Sequence, residues 1–415
     1  MKYSVQFKKY TAPLLLLLWL TGTAQNRTLD YYIDLGLKNS PLLKDYQAQI
    51  ASNSIDSLKV RASFKPQVGL LGQLYYPPVI HGYGYDQGAT NGGNYQAQVN
   101  FSQPLIMKKS KQAQFEGLNI LNQYIGNASK ISELDLKKAI TTQYISAYGD
   151  YSVIQSAQDI FNLLNDEEEM LKPLVQRGIY MQNDFLNVRM VKETQLLTIR
   201  QARIQYQNDL YMLNIICGLD DTSFAALSKP EIAPNAMFDA ENSVLLRQYR
   251  LDSLKFMNRK KMVDLNYVPK LSAIADAGLL ATNPLNAYKN FGAGIGLNFS
   301  MPLYDGRQRK MEYQKLVLAA QVSHNYETFY RRQFQQQVMQ LRAQLKSTDE
   351  LIAETGGQIE LAQELIRNYK TQLNNGLVKI TDLVLAVNNY INFKTSLNQI
   401  MMNRLQIINQ LNYYK

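Results

Sequence analysis

Asn100-Phe101-Ser102-Gln103-Pro104-Leu105 returns with one residue changed as Asn298-Phe299-Ser300-Met301-Pro302-Leu303, 198 residues later. A second pair keeps that offset: Gly178 is followed six residues on by Asp184, and Gly376 six residues on by Asp382. Pro104 to Gly178 and Pro302 to Gly376 both span 74 residues. Upstream, Phe64-Lys65-Pro66-Gln67 pairs loosely with Val268-Pro269-Lys270 at an offset of 203, a small change of loop length. Matches in one order at one spacing read as an internal repeat, which decides the architecture before any motif does. The copies occupy 25–217 and 243–415, and a non-repeated stretch, 218–242, carries Pro230 and Pro234.

The repeated phrase closes a strand in each copy. Tyr95, Ala97, Val99 and Phe101 alternate with Gln96, Gln98, Asn100 and Ser102. Phe291, Ala293, Ile295, Leu297 and Phe299 alternate with Gly292, Gly294, Gly296, Asn298 and Ser300. Period two puts one apolar face opposite one polar or glycine face. Weaker partners precede them, around Val68, Leu70 and Leu74 and around Leu271 to Leu279, so hairpins are expected at about 66–104 and 269–302. Pro66, Pro104, Pro269 and Pro302 stand at the outer strand ends, where a missing N–H costs little. A sandwich face and a transmembrane barrel both fit this pattern. Strands of about ten residues with aromatic ends suit the barrel, with Tyr75, Tyr76, Tyr288 and Phe291 as one girdle and Phe101 and Phe299 as the other.

The remainder reads as helix of unusual length. Between Ser110 and Arg177 the one proline is Pro173, and between Leu303 and Asn375 there is none. Such a run would extend about 100 Å, far beyond a globular helix, and demands a coiled coil or a tube. Gly356-Gly357 is expected to loosen the second run. Gly178 and Gly376 read as left-handed caps that turn each run into a returning helix, 183–217 and 381–415. Helices over 29–65 and 243–268 complete each copy. The fold class is α+β: a duplicated β-hairpin with long α-helical hairpins.

Composition removes most chemistry. The chain has 415 residues, one cysteine (Cys217) and two histidines, His81 and His324, without metal-ligand spacing. No phosphate-binding, dinucleotide or nucleophile-elbow motif is present. The formal charge of +10 is spread along the sequence and makes no basic tract, which argues against nucleic acid. Residues 1–24 read as a cleaved secretory signal: Lys2, Lys8 and Lys9, then an apolar core from Leu14 to Leu20, then Gly22 and Ala24 before the cut. The apolar run is short for a membrane anchor, and Gln25 in place of cysteine gives no lipid attachment point. Four strands cannot close a barrel, and an open edge in lipid leaves backbone groups unsatisfied. Two chains would give eight strands and a filled lumen, three would give twelve and a more open one; sheathing a long channel favours three.

These residues resemble the TolC family of outer-membrane efflux proteins. Leu29 to Leu43, ending Asn39-Ser40-Pro41-Leu42-Leu43, is similar to the family's opening helix. Asn375-Gly376-Leu377-Val378-Lys379-Ile380-Thr381-Asp382-Leu383 resembles its tip turn. The Phe-Ser-x-Pro-Leu phrases and Tyr304-Asp305-Gly306 resemble its strand-to-helix junctions. The resemblance implies a homotrimer with a 12-stranded barrel in outer-membrane lipid, continuous with a periplasmic helical tunnel, and makes 218–242 an equatorial linker. It implies passive export of drugs, proteins or metal ions through a periplasmic adaptor (membrane fusion) protein and an inner-membrane pump of RND, ABC or MFS type. No cofactor, resident metal or catalytic residue is expected. The competing reading is a periplasmic coiled-coil scaffold or adaptor without a pore.

The family's channels narrow at the tip, often through acidic rings, and this puts Asp382 and its counterpart Asp184 forward as constriction residues. Leu385 stands where some members carry a second acid. The same aspartates also suit a helix's first turn, where the dipole favours them. Glu167-Glu168-Glu169, Arg331-Arg332 and Lys108-Lys109-Ser110-Lys111 read as solvated faces. His81 reads as an exposed loop residue and Cys217 as small apolar packing.

Overall fold

The computed structural model describes residues 27–78, 80–85, 93–235, 243–373 and 375–414. The expected signal at 1–24 and the end of the linker, 236–242, lie outside them. The chain is mostly helical, with four antiparallel strands among the described residues.

The opening helix is interrupted. In place of one helix from 29 to 65 there are α1 (Leu29–Asn39) and α2 (Pro41–Ser63). Pro41 explains the break: the residue before a proline is pushed out of helical space, and Ser40 sits at φ −53°, ψ 117°. Proline itself suits a first helical position. Then follow β1 (Gln67–Tyr75), β2 (Asn94–Pro104), α3 (Lys108–Gln176) and α4 (Gln182–Cys217). After the linker come α5 (Val244–Leu265), β3 (Lys270–Ala281), a short 3-10 turn (Pro284–Lys289), β4 (Phe291–Ser300), α6 (Gln308–Leu373) and α7 (Ile380–Tyr413). α4 and α7 start 198 residues apart, the offset of the sequence phrases. α6 continues unbroken through Gly356 and Gly357, correcting the loosening expected there. The rest of the 66-residue helix carries its hydrogen-bond ladder across the pair, whose added helix cost is about 1 kcal/mol each.

Two compact units emerge, and each draws on both halves of the chain. Among the described residues, the first holds 27–40, 133–235, 336–373 and 375–414. One of its cores gathers Tyr32, Tyr144, Tyr206, Leu210, Leu213, Cys217 and Leu227. Large buried tyrosines need hydroxyl partners, and here the stretch after α4 supplies them. Tyr144 donates to the Arg27 and Ser228 carbonyls at 2.8 and 2.7 Å, Tyr206 donates to Ala225, and Arg27 pairs with Asp221. Asn412 holds the next part, donating to Ala233 (3.0 Å) and accepting from the Asn235 N–H (2.9 Å). Cys217 is buried with its Sγ near the Tyr32 carbonyl, and burial pushes the thiol up to about 12, which leaves it an inert packing group.

Among the described residues, the second unit holds 41–78, 80–85, 93–132 and 243–335. Buried asparagines tie its helices side by side: Asn53 donates to the Leu118 carbonyl (2.9 Å), Asn258 to Ala113 (2.9 Å) and Asn127 to Val244 (3.1 Å). Its sheet runs β1-β2-β3-β4, antiparallel throughout. His81 lies in an exposed turn at φ 53°.

Candidate functional site

Each long helix ends in the same device. The Gly178 N–H donates to Val175 and the Ile179 N–H reaches back to Leu174, both at 3.0 Å. The Gly376 N–H donates to Leu373 (3.1 Å) and the Leu377 N–H to Gln372 (3.2 Å). This nested pair of bonds needs a left-handed residue at its centre, and Gly178 and Gly376 hold φ of +75° and +67°. The two turns touch. The Tyr180 hydroxyl donates to the Leu373 and Val378 carbonyls at 3.3 and 3.1 Å. A Cβ at Gly376 would stand 3.0 Å from Ile179 Cγ2, whereas one at Gly178 would meet nothing within 4 Å. Leu164, Leu171, Leu174, Leu373, Ile380 and Leu383 join one apolar cluster beneath both turns. Gly178→Val is therefore expected to cost about 1–2 kcal/mol for the left-handed backbone alone. Gly376→Val should cost more, through Ile179. Thermal unfolding of the two variants checks this; equal losses would remove the contact from the account.

The turn aspartates, matched in sequence, differ in place. The Asp184 carboxylate accepts the Met181 N–H at 2.9 Å and closes the first turn of α4, the helix-start role. Asp382 is exposed in the first turn of α7, and its carboxylate has no partner among the described residues. Leu385, one turn on, is 61% exposed on that side.

The sheet's register turns the sequence alternation into rows. Val68, Phe101, Ala275 and Ile295 lie across from one another, as do Leu70, Val99, Ala277 and Ala293. The other face carries Gly69, Asn100, Asp276 and Gly294 in one row and Leu71, Gln98, Gly278 and Gly292 in the next. Asp276 is the one charged side chain inside the strands, since Lys270 stands at the first position of β3. The apolar rows are bare: Leu70 is 82% and Ile295 94% exposed. Phe101 and Phe299 fall at one end of the rows and Tyr95 and Phe291 at the other. β1 and β4 each pair on one side only.

No protein-family model and no curated relative matches the chain. Solved structures do. The outer membrane protein VceC from Vibrio cholerae superposes with a TM-score of 0.74 at 14% identity, over 93% of this chain and 95% of that one. The chain has the fold of an outer-membrane channel. The CmeC outer membrane channel of Campylobacter jejuni matches at 0.69 and 13% identity, over 99% and 90%. The MtrE outer membrane channel of Neisseria gonorrhoeae, in its open state, matches at 0.72 and 12%, over 93% and 88%. No helix among the described residues is long and apolar enough to cross a membrane, a finding that says nothing of the strands. No group of three metal-ligating side chains occurs among the described residues.

Two features lie beyond the sequence reading: the first corrects it and the second was absent from it. Glu167 and Glu168 are not a solvated face: they are 1% and 8% exposed, and only Glu169 faces solvent. Glu167 pairs with Lys370 of α6 (3.2 Å) and Glu168 with Lys192 of α4, so successive residues serve two neighbouring helices. Arg331 is half-buried and pairs with Glu327, while Arg332 and Lys108, Lys109 and Lys111 are exposed.

The second is Asp150 on α3. Its neighbour is Asp209 on α4, and its Oδ2 is buried without a hydrogen-bond partner. Burial first, then the neighbouring carboxylate, pushes Asp150 up to about 7. A signal was present: the positions 198 residues on are Thr348 and Ile407, so the acids depart from their own repeat. A raised carboxyl pKa means stability present in acid and lost as pH climbs through about 7. Asp150→Asn should therefore match wild type near pH 3, below the ordinary carboxyl value. Near pH 8 it should exceed wild type by about 1–2 kcal/mol, allowing for solvent screening. Unfolding at both pH values checks it; a gain of the same size at each would exclude titration as the cause.

Proposed function

We propose that the chain is a TolC-like outer-membrane exit duct of a tripartite efflux or secretion system. The observation that carries this reading is the four-stranded sheet, with one face of bare apolar rows and the other mostly Gln, Asn, Ser, Gly and Asp276, interrupted by Leu71, Ile274 and Leu280. A face 94% exposed at Ile295 wants hydrocarbon, and its opposite wants water. In lipid the free edges of β1 and β4 must be paired, and three copies make a closed 12-stranded barrel. The first unit supplies a matching surface: Met190, Leu197, Ile204 and Tyr211 stand exposed on α4 at every seventh position, a seam for a neighbouring copy. Each chain then carries two copies of a helical hairpin, and the trimer a periplasmic tunnel of pseudo-sixfold form.

The duct performs no chemistry. Energy and choice of cargo come from an inner-membrane pump of RND, ABC or MFS type, joined through a periplasmic adaptor. A periplasmic scaffold has no use for the apolar rows, which is why the pore is favoured. At the tip, three copies of Asp382 form a ring with Leu385 as an apolar collar. Like charges at 4 Å repel by roughly 1–4 kcal/mol per pair between bulk-water and near-surface dielectric limits. Such a ring attracts multivalent cations, which bridge carboxylates. Asp184, already engaged with the Met181 N–H, contributes less.

Single-channel conductance in planar bilayers, with a trivalent cation added from the tip side, tests the gate. Wild type should be blocked, Asp382→Ala should lose most of the block, and Asp184→Ala should lose little. Equal block in wild type and Asp382→Ala would place the constriction elsewhere. Crosslinking in detergent should show three chains; a soluble monomer would end the channel reading.

A further inference from the structure

The positive charge of this chain has an address that the linear sequence conceals. Residues 59–66, 105–116, 259–270 and 301–315 hold fourteen Lys and Arg against four Asp and Glu, and the remainder holds thirty of each. The whole net charge of +10 therefore belongs to four short segments far apart in sequence. The register gathers them. Gln67 pairs with Ser102, Pro104 with Ser272 and Lys270 with Ser300, so all four segments adjoin the same end of the sheet. Lys65, Lys108, Lys109, Lys270, Arg307 and Lys310 are exposed there and have no acidic partner among the described residues. Three of the four local acids are engaged, leaving Glu312: Glu116 pairs with Lys261 at 2.8 Å, Asp264 with Arg309, and Asp305 accepts the backbone N–H groups of Arg307 and Arg309 at 2.8 Å. At the opposite end, among the described residues of 76–93 and 282–290, Lys289 is the one Lys or Arg.

We propose that this basic girdle binds anionic phospholipid headgroups of the leaflet at that end of the barrel; the inference rests on the channel reading. Its position favours lipid over an acidic protein. The last apolar row, where Leu271 pairs with Phe299, ends where the basic residues begin. A hydrocarbon-facing band bordered by cations reproduces the layering of acyl chain and headgroup. Lysine and arginine stems lie along apolar surface while their charges reach water. A negative membrane surface attracts such clusters over about a Debye length. With one end basic and the other nearly uncharged, the girdle also gives the barrel a preferred leaflet.

The test uses the full mature chain, first inserted into neutral phosphatidylcholine vesicles, then extracted in mild detergent and titrated with phosphatidylglycerol or phosphatidylcholine under native mass spectrometry. Wild type should retain phosphatidylglycerol about tenfold more than phosphatidylcholine, and added salt should shrink the ratio. The variant Lys108→Gln, Lys109→Gln, Lys270→Gln, Lys310→Gln should bring the ratio close to one while keeping its oligomer. Equal retention of both lipids by wild type, or an unchanged ratio in the variant, would overturn the proposal. So would polyglutamate peptide displacing the lipid at equal charge, which would assign the girdle to an acidic protein. Failure to insert into neutral vesicles is a different result: it would overturn the channel reading itself.

Discussion

Val99→Arg is expected to abolish stable insertion into the outer membrane, whereas Asn100→Arg, one residue along, leaves it intact. Val99 lies near the middle of β2 in the row Leu70, Val99, Ala277, Ala293. Arginine on the lipid face near the bilayer midplane costs about 2–4 kcal/mol, and a trimer meets that cost in every chain. Asn100 looks the other way, with Gly69 on one side and Asp276 on the other. An arginine there finds room, water and a carboxylate. Membrane fractionation and detergent crosslinking of both variants read the result directly. Equal insertion of the two would mean that the faces are not lipid and lumen, and the sheet would revert to one side of a soluble sandwich.

That contrast was legible in the sequence because period two is a strict rule. Once Tyr95, Ala97, Val99 and Phe101 share a face, the pairing with β1 and β3 can only continue their row or bury a mismatch. The helix-ending glycines were legible for a similar reason: a left-handed cap has few other occupants, and Gly178 and Gly376 hold it. Features that depend on contacts between helices were not. Glu167 and Glu168 look like surface charge until the packing of α3 on α6 and α4 supplies Lys370 and Lys192. Asp184 and Asp382 occupy matching sequence positions, yet only Asp184 is taken up by a backbone N–H. The basic girdle was hidden because its four segments are local neither to one another nor to one helix.

Lys370→Met should destabilise the paired turns more as pH rises. Glu167 is 1% exposed, and Lys370 Nζ stands 3.2 Å from its Oε1, in ion-pair range but without a well-directed hydrogen bond to either oxygen. Burial raises the Glu167 carboxyl above its ordinary value, and Lys370 opposes that rise. Removing a partner from a buried pair ordinarily costs about 3–5 kcal/mol; Lys370 is partly exposed, so about 2–3 is expected here. The sign follows from linkage. A carboxyl whose folded pKa lies above its unfolded one gives stability in acid that is lost as pH climbs through the folded value. Without Lys370 that folded value moves higher still, so the variant loses little near pH 4 and most near pH 8. The double variant Glu167→Gln with Lys370→Met removes both charges and should recover most of the loss, since replacing a whole buried pair is often close to neutral. Thermal unfolding of the three proteins across that pH range provides the measurement. A loss in Lys370→Met that does not vary with pH, or a double variant no better than the single, would show that Lys370 acts through its aliphatic stem and not through the charge it offers Glu167.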